Sequence, residues 1–180
     1  MRTKANKVAI IGIVAVDRQG SIGRGGTVPW HFPSDMKFFR EQTTGHACVM
    51  GYKTWLSLKK PLRNRLNIVM SRASEIAPQE GVILLRDRLS VLSLKTYLAC
   101  DLFIIGGEQI YRMFLRDIEK WILTEIPLTV EDADTFMPKD FLEGFEQQDS
   151  QVLEESLNVK FYGRVRGYNL SGHETPAGIT

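Results

Sequence analysis

Apolar runs of strand length recur along the chain, and several are almost continuously apolar rather than alternating. They are Val8–Val16, Ala47–Met50, Leu66–Met70, Val82–Leu85, Leu102–Ile105 and Trp121–Ile126. A continuous apolar run of this length is typical of a strand that is covered on both faces. The pattern therefore predicts a buried and largely parallel sheet.

Segments with the character of helices lie between these runs. They are a segment from Ser34 to about Gln42, Lys53–Leu58, Leu89–Ala99 and Glu108–Leu115. Ser34 is the predicted N-cap of the first helix, because a serine hydroxyl can accept a hydrogen bond from a free N–H of the first turn. Strands that alternate with helices predict an α/β domain.

The end of the chain follows a different pattern. Phe145–Val152 and Val159–Tyr168 resemble strands with no helix between them, which predicts an antiparallel hairpin and a mixed sheet. The length of 180 residues suits one domain around one core. We expect that domain to span residues 1–170, followed by a flexible tail over residues 171–180.

Composition excludes several classes of protein. No stretch approaches the roughly 20 apolar residues that a membrane helix needs. The basic N-terminus leads into an apolar run without a small-residue cleavage site, so we expect a cytoplasmic protein without a signal peptide. Cys48 and Cys100 lie far apart in sequence, and there are three histidines. We therefore expect buried free thiols and no metal site.

Positive charge is distributed unevenly along the chain. The net charge is only +2, too small to indicate nucleic-acid binding by itself. Between Gln42 and Ser74, however, there are several cations and no acidic residue. This stretch is either a solvated basic face or a wall that binds anions. It lacks the interleaved aromatic residues of a nucleic-acid platform.

One segment combines a flexible loop with an isolated acid. Gly20–Val28 is rich in glycine, which allows a loop to move and lets its backbone approach a ligand closely. Asp35 follows in the predicted first turn of a helix, where the helix dipole alone could explain an acid. Trp30 and Phe39 lie near it in sequence, and an apolar surrounding is a poor place for a carboxylate without a partner.

Six segments, in order, resemble motifs of the bacterial-type dihydrofolate reductase family over roughly residues 8 to 170. They are Ile13-Val14-Ala15 with Ile22-Gly23, Pro29-Trp30, Asp35 and Phe39; Val49 to Ser57; Pro61-Leu62 with Arg65 and Asn67; Ser71-Arg72; Ile105-Gly106-Gly107 with Ile110-Tyr111; and Leu123-Thr124. The resemblance implies an eight-stranded mixed sheet, mostly parallel, with flanking helices, a C-terminal antiparallel hairpin and a ligand cleft.

The same resemblance implies NADPH-dependent reduction of dihydrofolate. Asp35 would bind the pterin and promote protonation of N5 from solvent, Thr124 would support Asp35, and Trp30 would control water. The substrate would contact Ile13, Ala15, Met36, Phe39, Leu58, Lys60, Leu62, Arg65, Ile105 and Tyr111. NADPH would contact Ala15, Ile22, Gly51, Tyr52, Lys53, Thr54, Ser57, Met70, Ser71, Arg72, Gly106, Gly107, Glu108, Gln109 and Ile110.

The chemistry of the matched residues agrees with these roles. Arg65 can pair bidentately with the carboxylate of a glutamate tail. Arg72 supplies a guanidinium for the 2′-phosphate of NADPH. Tyr52 and Gln109 stand where many relatives have a cation, which removes phosphate contacts. Further expected partners are antifolate inhibitors; we expect a monomer that binds neither nucleic acid nor membrane.

Two other functions share some of these features. A pyrimidine reductase of riboflavin synthesis would have the same fold and cofactor, but it would not need Trp30 and Asp35 in this arrangement. A catalytically silent nucleotide- or antifolate-binding module is the second. Absorbance at 340 nm with NADPH and dihydrofolate distinguishes all three.

Overall fold

The computed structural model of the protein describes residues 8–168, except for the side chain of residue 155. The predicted flexible tail, residues 171–180, lies outside the described range. The predicted limits of the domain therefore stay a prediction.

Ten strands and four helices follow one another along the described chain. The strands are β1 Ile10–Val16, β2 Ser21–Gly23, β3 Ala47–Gly51, β4 Leu66–Met70, β5 Val82–Leu85, β6 Leu102–Gly106, β7 Lys120–Glu125, β8 Thr135–Phe136, β9 Phe145–Val152 and β10 Asn158–Arg164. The helices are α1 Pro33–Thr43, α2 Tyr52–Ser57, α3 Arg88–Lys95 and α4 Glu108–Phe114, and Glu154–Ser156 forms one 3-10 turn.

Eight of the strands form one mixed sheet in the order β5-β4-β3-β6-β1-β7-β10-β9. The pairs from β5 to β7 are parallel, whereas β10 is antiparallel to both β7 and β9. This confirms the predicted α/β class, the mostly parallel sheet and the C-terminal hairpin. The strands β2 and β8 form a separate small sheet that was not predicted, because strands this short have no measurable periodicity.

The central strands bury side chains on both faces, as their continuous apolar runs predict. Along β3, Val49 packs with Trp121 in the core on one face, and Cys48 packs with Phe103 on the other. Cys48 is a buried free thiol, but Cys100 is only half-buried, so the prediction of two buried thiols holds for the first alone.

The start of α1 differs from its prediction. Pro33 takes the first helical position, where its missing N–H costs nothing, and Phe32 becomes the N-cap. Ser34 therefore lies inside the first turn, and its hydroxyl donates to the carbonyl oxygen of Glu154 at 3.0 Å. The predicted role of Ser34 as N-cap is wrong. The side chain of α1 that enters the core is Phe38, which is 5% exposed.

Two predicted ends also lie too far along the chain. α3 ends at Lys95 rather than Ala99, and β10 ends at Arg164 rather than Tyr168. In both places the apolar pattern continues into a turn, so periodicity alone does not mark the end.

The topology brings the ends of six parallel strands to one edge of the sheet. β1 lies in the middle, between β6 and β7, and the loops that follow β1, β3, β4 and β6 emerge beside one another. In parallel α/β sheets, this carboxyl edge is where ligands bind. We call it the carboxyl edge below.

Candidate active site at the carboxyl edge

Asp35 and Thr124 form the polar centre of the candidate site. Asp35 lies in the first turn of α1, and its half-buried carboxylate is hydrogen-bonded to the hydroxyl of Thr124. Thr124 is 3% exposed on β7, where it pairs in register with Ala15 of β1. Burial raises the pKa of Asp35, and the hydrogen bond from Thr124 offsets only part of that rise. The site therefore holds a carboxylate whose charge is poorly solvated.

Apolar side chains of β1 and α1 flank the Asp35–Thr124 pair in the fold. Ile13 and Ala15 lie two residues apart on β1 and so share one face of the strand. Met36, next to Asp35 on α1, is 54% exposed, and Phe39 is half-buried. Met36 therefore remains available to a ligand, whereas Phe39 packs in part against the same core cluster as Phe38. Trp30 is half-buried just before the helix.

Tyr111 is buried against β1 and is hydrogen-bonded to the backbone of Ile13. Its hydroxyl donates to the carbonyl oxygen of Ile13 at 2.7 Å, and its ring lies 5.6 Å from that of Trp121. Tyr111 is 3% exposed, and burial raises the pKa of its phenol. The structure thus gives Tyr111 a buried position behind β1. Ile105, on the neighbouring strand, is half-buried.

Arg65 directly precedes β4, at the edge of the sheet opposite the carboxyl edge, and its guanidinium is held in place. Its Nη1 donates to the Thr43 hydroxyl at 3.0 Å, and its Nε donates to the Arg63 carbonyl oxygen at 2.9 Å. Partial burial lowers the pKa of Arg65. Leu58 and Leu62, also predicted to contact substrate, are half-buried nearby in sequence, and Lys60 is exposed. The loop therefore presents a positioned cation with apolar neighbours.

A buried carboxamide shapes the loop that carries Arg65. Asn67 is 1% exposed. Its Oδ1 accepts from the Leu62 N–H at 2.9 Å, and its Nδ2 donates to the carbonyl oxygens of Leu62, Arg65 and Gly81 at 3.0, 3.1 and 3.2 Å. Both ends of the amide are therefore satisfied by backbone, which fixes the path of residues 62–65.

Glycines allow two turns of the carboxyl edge to approach each other closely. A Cβ on Gly51 would lie 3.1 Å from the Cγ1 atom of Ile110, and one on Gly106 would lie 3.0 Å from the ring of Tyr111. A Cβ on Gly107 would lie 3.6 Å from the Thr54 hydroxyl oxygen. The starts of α2 and α4 are thus neighbours, and their backbone N–H groups suit a phosphate-bearing ligand.

The other predicted cofactor residues lie around these turns. Ile22, Tyr52, Thr54, Ser71 and Glu108 are half-buried, Met70 is buried, and Lys53, Ser57, Arg72 and Gln109 are exposed. Three of them already have side-chain partners: Ser57 donates to the Thr54 carbonyl oxygen at 2.7 Å, Glu108 pairs with Arg112 at 2.9 Å, and the Ser71 hydroxyl accepts from the Ser74 N–H at 2.9 Å. All lie at or directly after the ends of β3, β4 and β6 or in the segment after β1. The topology therefore places the predicted cofactor residues beside Asp35 and Thr124.

Two acids that the sequence analysis missed anchor the glycine-rich loop. Asp17 is 4% exposed and accepts from the N–H groups of Ser21 at 2.8 Å and Val130 at 2.8 Å. Asp134 accepts from the Gly25 N–H at 2.7 Å. The loop is therefore tied to residues 130–136 at its base and at its tip. Its tip, residues 24–28, is exposed throughout.

Arg86 was also missed. It follows β5, and its Nη1 donates to the carbonyl oxygens of Ser71 and Ser74. The register of β4 and β5, with Met70 opposite Leu85, places it there. The available signal was its position directly after a strand predicted to end at the same edge.

Comparison with known proteins identifies the family. The model of the family described as dihydrofolate reductase matches residues 9–166. The chain belongs to the dihydrofolate reductase family. A dihydrofolate reductase of Haemophilus influenzae is 37% identical over 127 residues, which cover 71% of this chain and 77% of that protein.

Further relatives support the assignment. A bifunctional dihydrofolate reductase-thymidylate synthase of Glycine max is 39% identical over 145 residues, but the match covers only 27% of that protein. A solved structure of the Enterococcus faecalis dihydrofolate reductase, complexed with NADP(H) and RAB-propyl, has a TM-score of 0.79 at 28% identity. The match covers 88% of this chain and 97% of that one. Within residues 8–168, none of the helices has the length and apolar character needed to cross a membrane.

Proposed function

We propose that this dihydrofolate reductase family member catalyses the NADPH-dependent reduction of 7,8-dihydrofolate to 5,6,7,8-tetrahydrofolate. It is an oxidoreductase, and its cofactor is NADPH. The observation that carries the proposal is the Asp35–Thr124 pair, a poorly solvated carboxylate in an apolar pocket. The pocket lies beside the glycine turns that bring the starts of α2 and α4 together.

The first role of Asp35 is to orient the pterin. A carboxylate accepts hydrogen bonds at both oxygens, and the amidine-like edge of the pterin presents N–H donors in the matching arrangement. Thr124 keeps the carboxylate in position from β7. Ile13, Ala15, Met36 and Phe39 supply the apolar surfaces between which a flat ring can lie. Orientation of this kind is a large part of what an enzyme contributes to the reaction.

The second role of Asp35 is electrostatic. The hydride that reduces C6 is supplied by the nicotinamide when the cofactor is bound. Protonation of N5 needs a proton from solvent, and we infer that Trp30 and the loop over residues 20–28 control access of that water. The negative charge of Asp35, poorly screened because it is half-buried, raises the basicity of N5 without touching it.

Arg65 would bind the glutamate tail of the substrate. Nη1 donates to Thr43 and Nε to the Arg63 carbonyl oxygen, and Nη2 has no partner among residues 8–168. A planar, pre-positioned guanidinium suits a carboxylate better than a mobile ammonium group does.

The experiment that tests the proposed function is the absorbance of NADPH at 340 nm with purified chain and dihydrofolate. We expect a decrease that depends on both compounds and that Asp35→Asn largely abolishes. An absorbance that stays constant with dihydrofolate would overturn the proposal. A decrease with an aminopyrimidine from riboflavin synthesis instead would assign the chain to that reaction.

A further inference from the structure

The turn after β4 is held by an arginine from the neighbouring strand. Arg86 Nη1 donates to the carbonyl oxygen of Ser71 at 3.0 Å and to that of Ser74 at 2.7 Å. The Ser71 hydroxyl accepts from the Ser74 N–H at 2.9 Å, which closes the turn internally. We call residues 71–75 the turn after β4. This turn carries Arg72, and the guanidinium of Arg86 is fixed to its backbone.

An acid of the same turn occupies the other side of this guanidinium. Glu75 forms an ion pair with Nη2 of Arg86. A guanidinium has two N–H groups on each Nη nitrogen, and both carbonyl contacts use Nη1, so Nη2 is the part left for an anion. The side chains of Arg86 and Glu75 are 42% and 78% exposed. An ion pair this exposed is weak, so another anion can replace Glu75.

We propose that Glu75 is a selectivity residue: it competes with the 2′-phosphate of the cofactor for Arg86 and so reduces the preference for NADPH over NADH. This rests on the proposed function, because it takes NADPH as the cofactor and Ser71-Arg72 as the site of its phosphate monoester. Arg72 and Arg86 bring two positive charges to the turn, and Glu75 cancels one of them. A phosphate monoester carries about −1.5 to −2 charges at pH 7, so it exceeds the single charge of the carboxylate that it displaces.

The test measures the binding of 2′,5′-ADP, which carries the monoester but no nicotinamide, to the full chain by titration calorimetry. Glu75→Gln removes the competing charge and keeps the size of the side chain. We expect 2′,5′-ADP and NADPH to bind about two- to fivefold more tightly at low salt, the range measured for exposed ion pairs. Binding of 5′-ADP and NADH, which lack the monoester, should not change. The gain should disappear at about 0.5 M salt because the charges are exposed.

Glu80→Gln is the matched control. Glu80 is an exposed glutamate of the same connection between β4 and β5, and no ion pair involves it within residues 8–168. It should leave all four affinities unchanged, and an equal gain there would overturn the proposal by showing a general effect of net charge. Equal gains for NADH and NADPH in Glu75→Gln would overturn it as well.

A double-mutant cycle tests whether Glu75 acts through Arg86. In an Arg86→Gln background, Glu75→Gln should no longer strengthen 2′,5′-ADP binding; an undiminished gain would overturn the proposal. Thermal melting checks that Arg86→Gln is folded. If it is not, Arg86→Lys, which keeps the charge and loses the fork, serves as the background and should reduce the gain.

Failure of this inference and failure of the proposed function give different results. If Arg72→Ala weakens 2′,5′-ADP and Glu75→Gln has no effect, the role of Glu75 alone is wrong. If Arg72→Ala leaves 2′,5′-ADP unaffected, the monoester site assumed in the proposed function is wrong. Turnover of dihydrofolate by the unmodified chain tests the reaction independently of both.

Discussion

The residues proposed to bind substrate, called the substrate half below, and those proposed to bind the cofactor, the cofactor half, use charge in opposite ways. On the substrate half, Asp35 is half-buried against Thr124, and Arg65 is held by Thr43. On the cofactor half, Arg72 and Lys53 are exposed, and close approach comes from glycine backbone. A poorly solvated charge acts through fixed geometry, whereas an exposed charge acts through a field that salt weakens. The two halves should therefore differ in their response to mutation, pH and salt.

The largest effect should come from Asp35→Asn. The variant replaces an acceptor with a donor that faces the N–H groups of the pterin, and losing about two charge-assisted hydrogen bonds costs ~10²–10⁴ in rate. The defect should be smaller at pH 5 than at pH 8, because solvent can protonate the substrate directly in acid. Turnover at both pH values is the measurement. Asp149→Asn, at an exposed position on β9, is the control; a loss under tenfold at both pH values would reduce Asp35 to a helix-terminal acid.

Arg72→Ala should give the largest effect on the cofactor half. Loss of a charge-assisted pair with the 2′-phosphate corresponds to about 10- to 100-fold weaker NADPH binding. NADH binding should change little. Because Arg72 is exposed, the difference should diminish as salt is raised. Equal losses for both cofactors, measured by fluorescence titration, would show that Arg72 does not bind the monoester.

Arg65→Lys should raise the Michaelis constant for dihydrofolate about tenfold, because it keeps the charge but loses the planar fork. A truncated dihydropterin without the glutamate should be affected little. Partial burial of Arg65 predicts a weaker salt dependence than for Arg72, which sharpens the contrast between the halves. If the truncated substrate suffers equally, the role of Arg65 is structural.

Gly25→Ala should change turnover by about threefold or more if the loop over residues 20–28 acts as a mobile lid. Gly25 has φ +58 and an added Cβ would meet nothing within 4 Å. Gly45→Ala is the matched control, since Gly45 has φ +83 and equally open space, but lies in the turn after α1. Both variants should lose about 1–2 kcal/mol of stability. Unaltered turnover in Gly25→Ala would remove the lid from the mechanism.

The smallest effect concerns stability. Because burial raises the pKa of Asp35, the native protein binds that proton more readily than the unfolded chain does. The charged form therefore costs stability above the native pKa, and this cost disappears as the pH falls through the native pKa toward 3.8, the ordinary pKa of an aspartate. Asp35→Asn should raise Tm by a few degrees at pH 7 and by nothing near pH 4. A lower Tm at pH 7 would contradict the burial cost.

The sequence predicted those features that have a local signature. The nearly continuous apolar runs identified β3 and β4 because strands covered on both faces leave few polar positions, of which Asn67 is the one in β4. The strand pair β2 and β8 is too short for any periodicity. Asp17 and Asp134 brace it through hydrogen bonds to Val130 and Gly25, each more than 100 residues away. Pairings between residues so far apart in sequence are set by the topology of the fold, and the local hydrophobic pattern does not contain that information.

The candidate site was predictable to the same extent. Asp35 was conspicuous because it is an acid among apolar neighbours, and Thr124 became interpretable only through the family resemblance. Arg86 looked like any surface cation, because what distinguishes it is the register of two parallel strands. The roles assigned to the site residues stay predictions until the variants are measured.

Asn67 has a consequence for how this enzyme could change over generations. One carboxamide joins the Leu62 backbone, in the loop that carries Arg65, to Gly81, which immediately precedes the strand that leads to Arg86. Substitutions at residues 62–65 that alter the binding of the substrate tail should therefore also shift the backbone that leads into β5 and Arg86. An asparagine at this position thus couples two loops of the molecule, so a substitution in one of them is expected to affect the other.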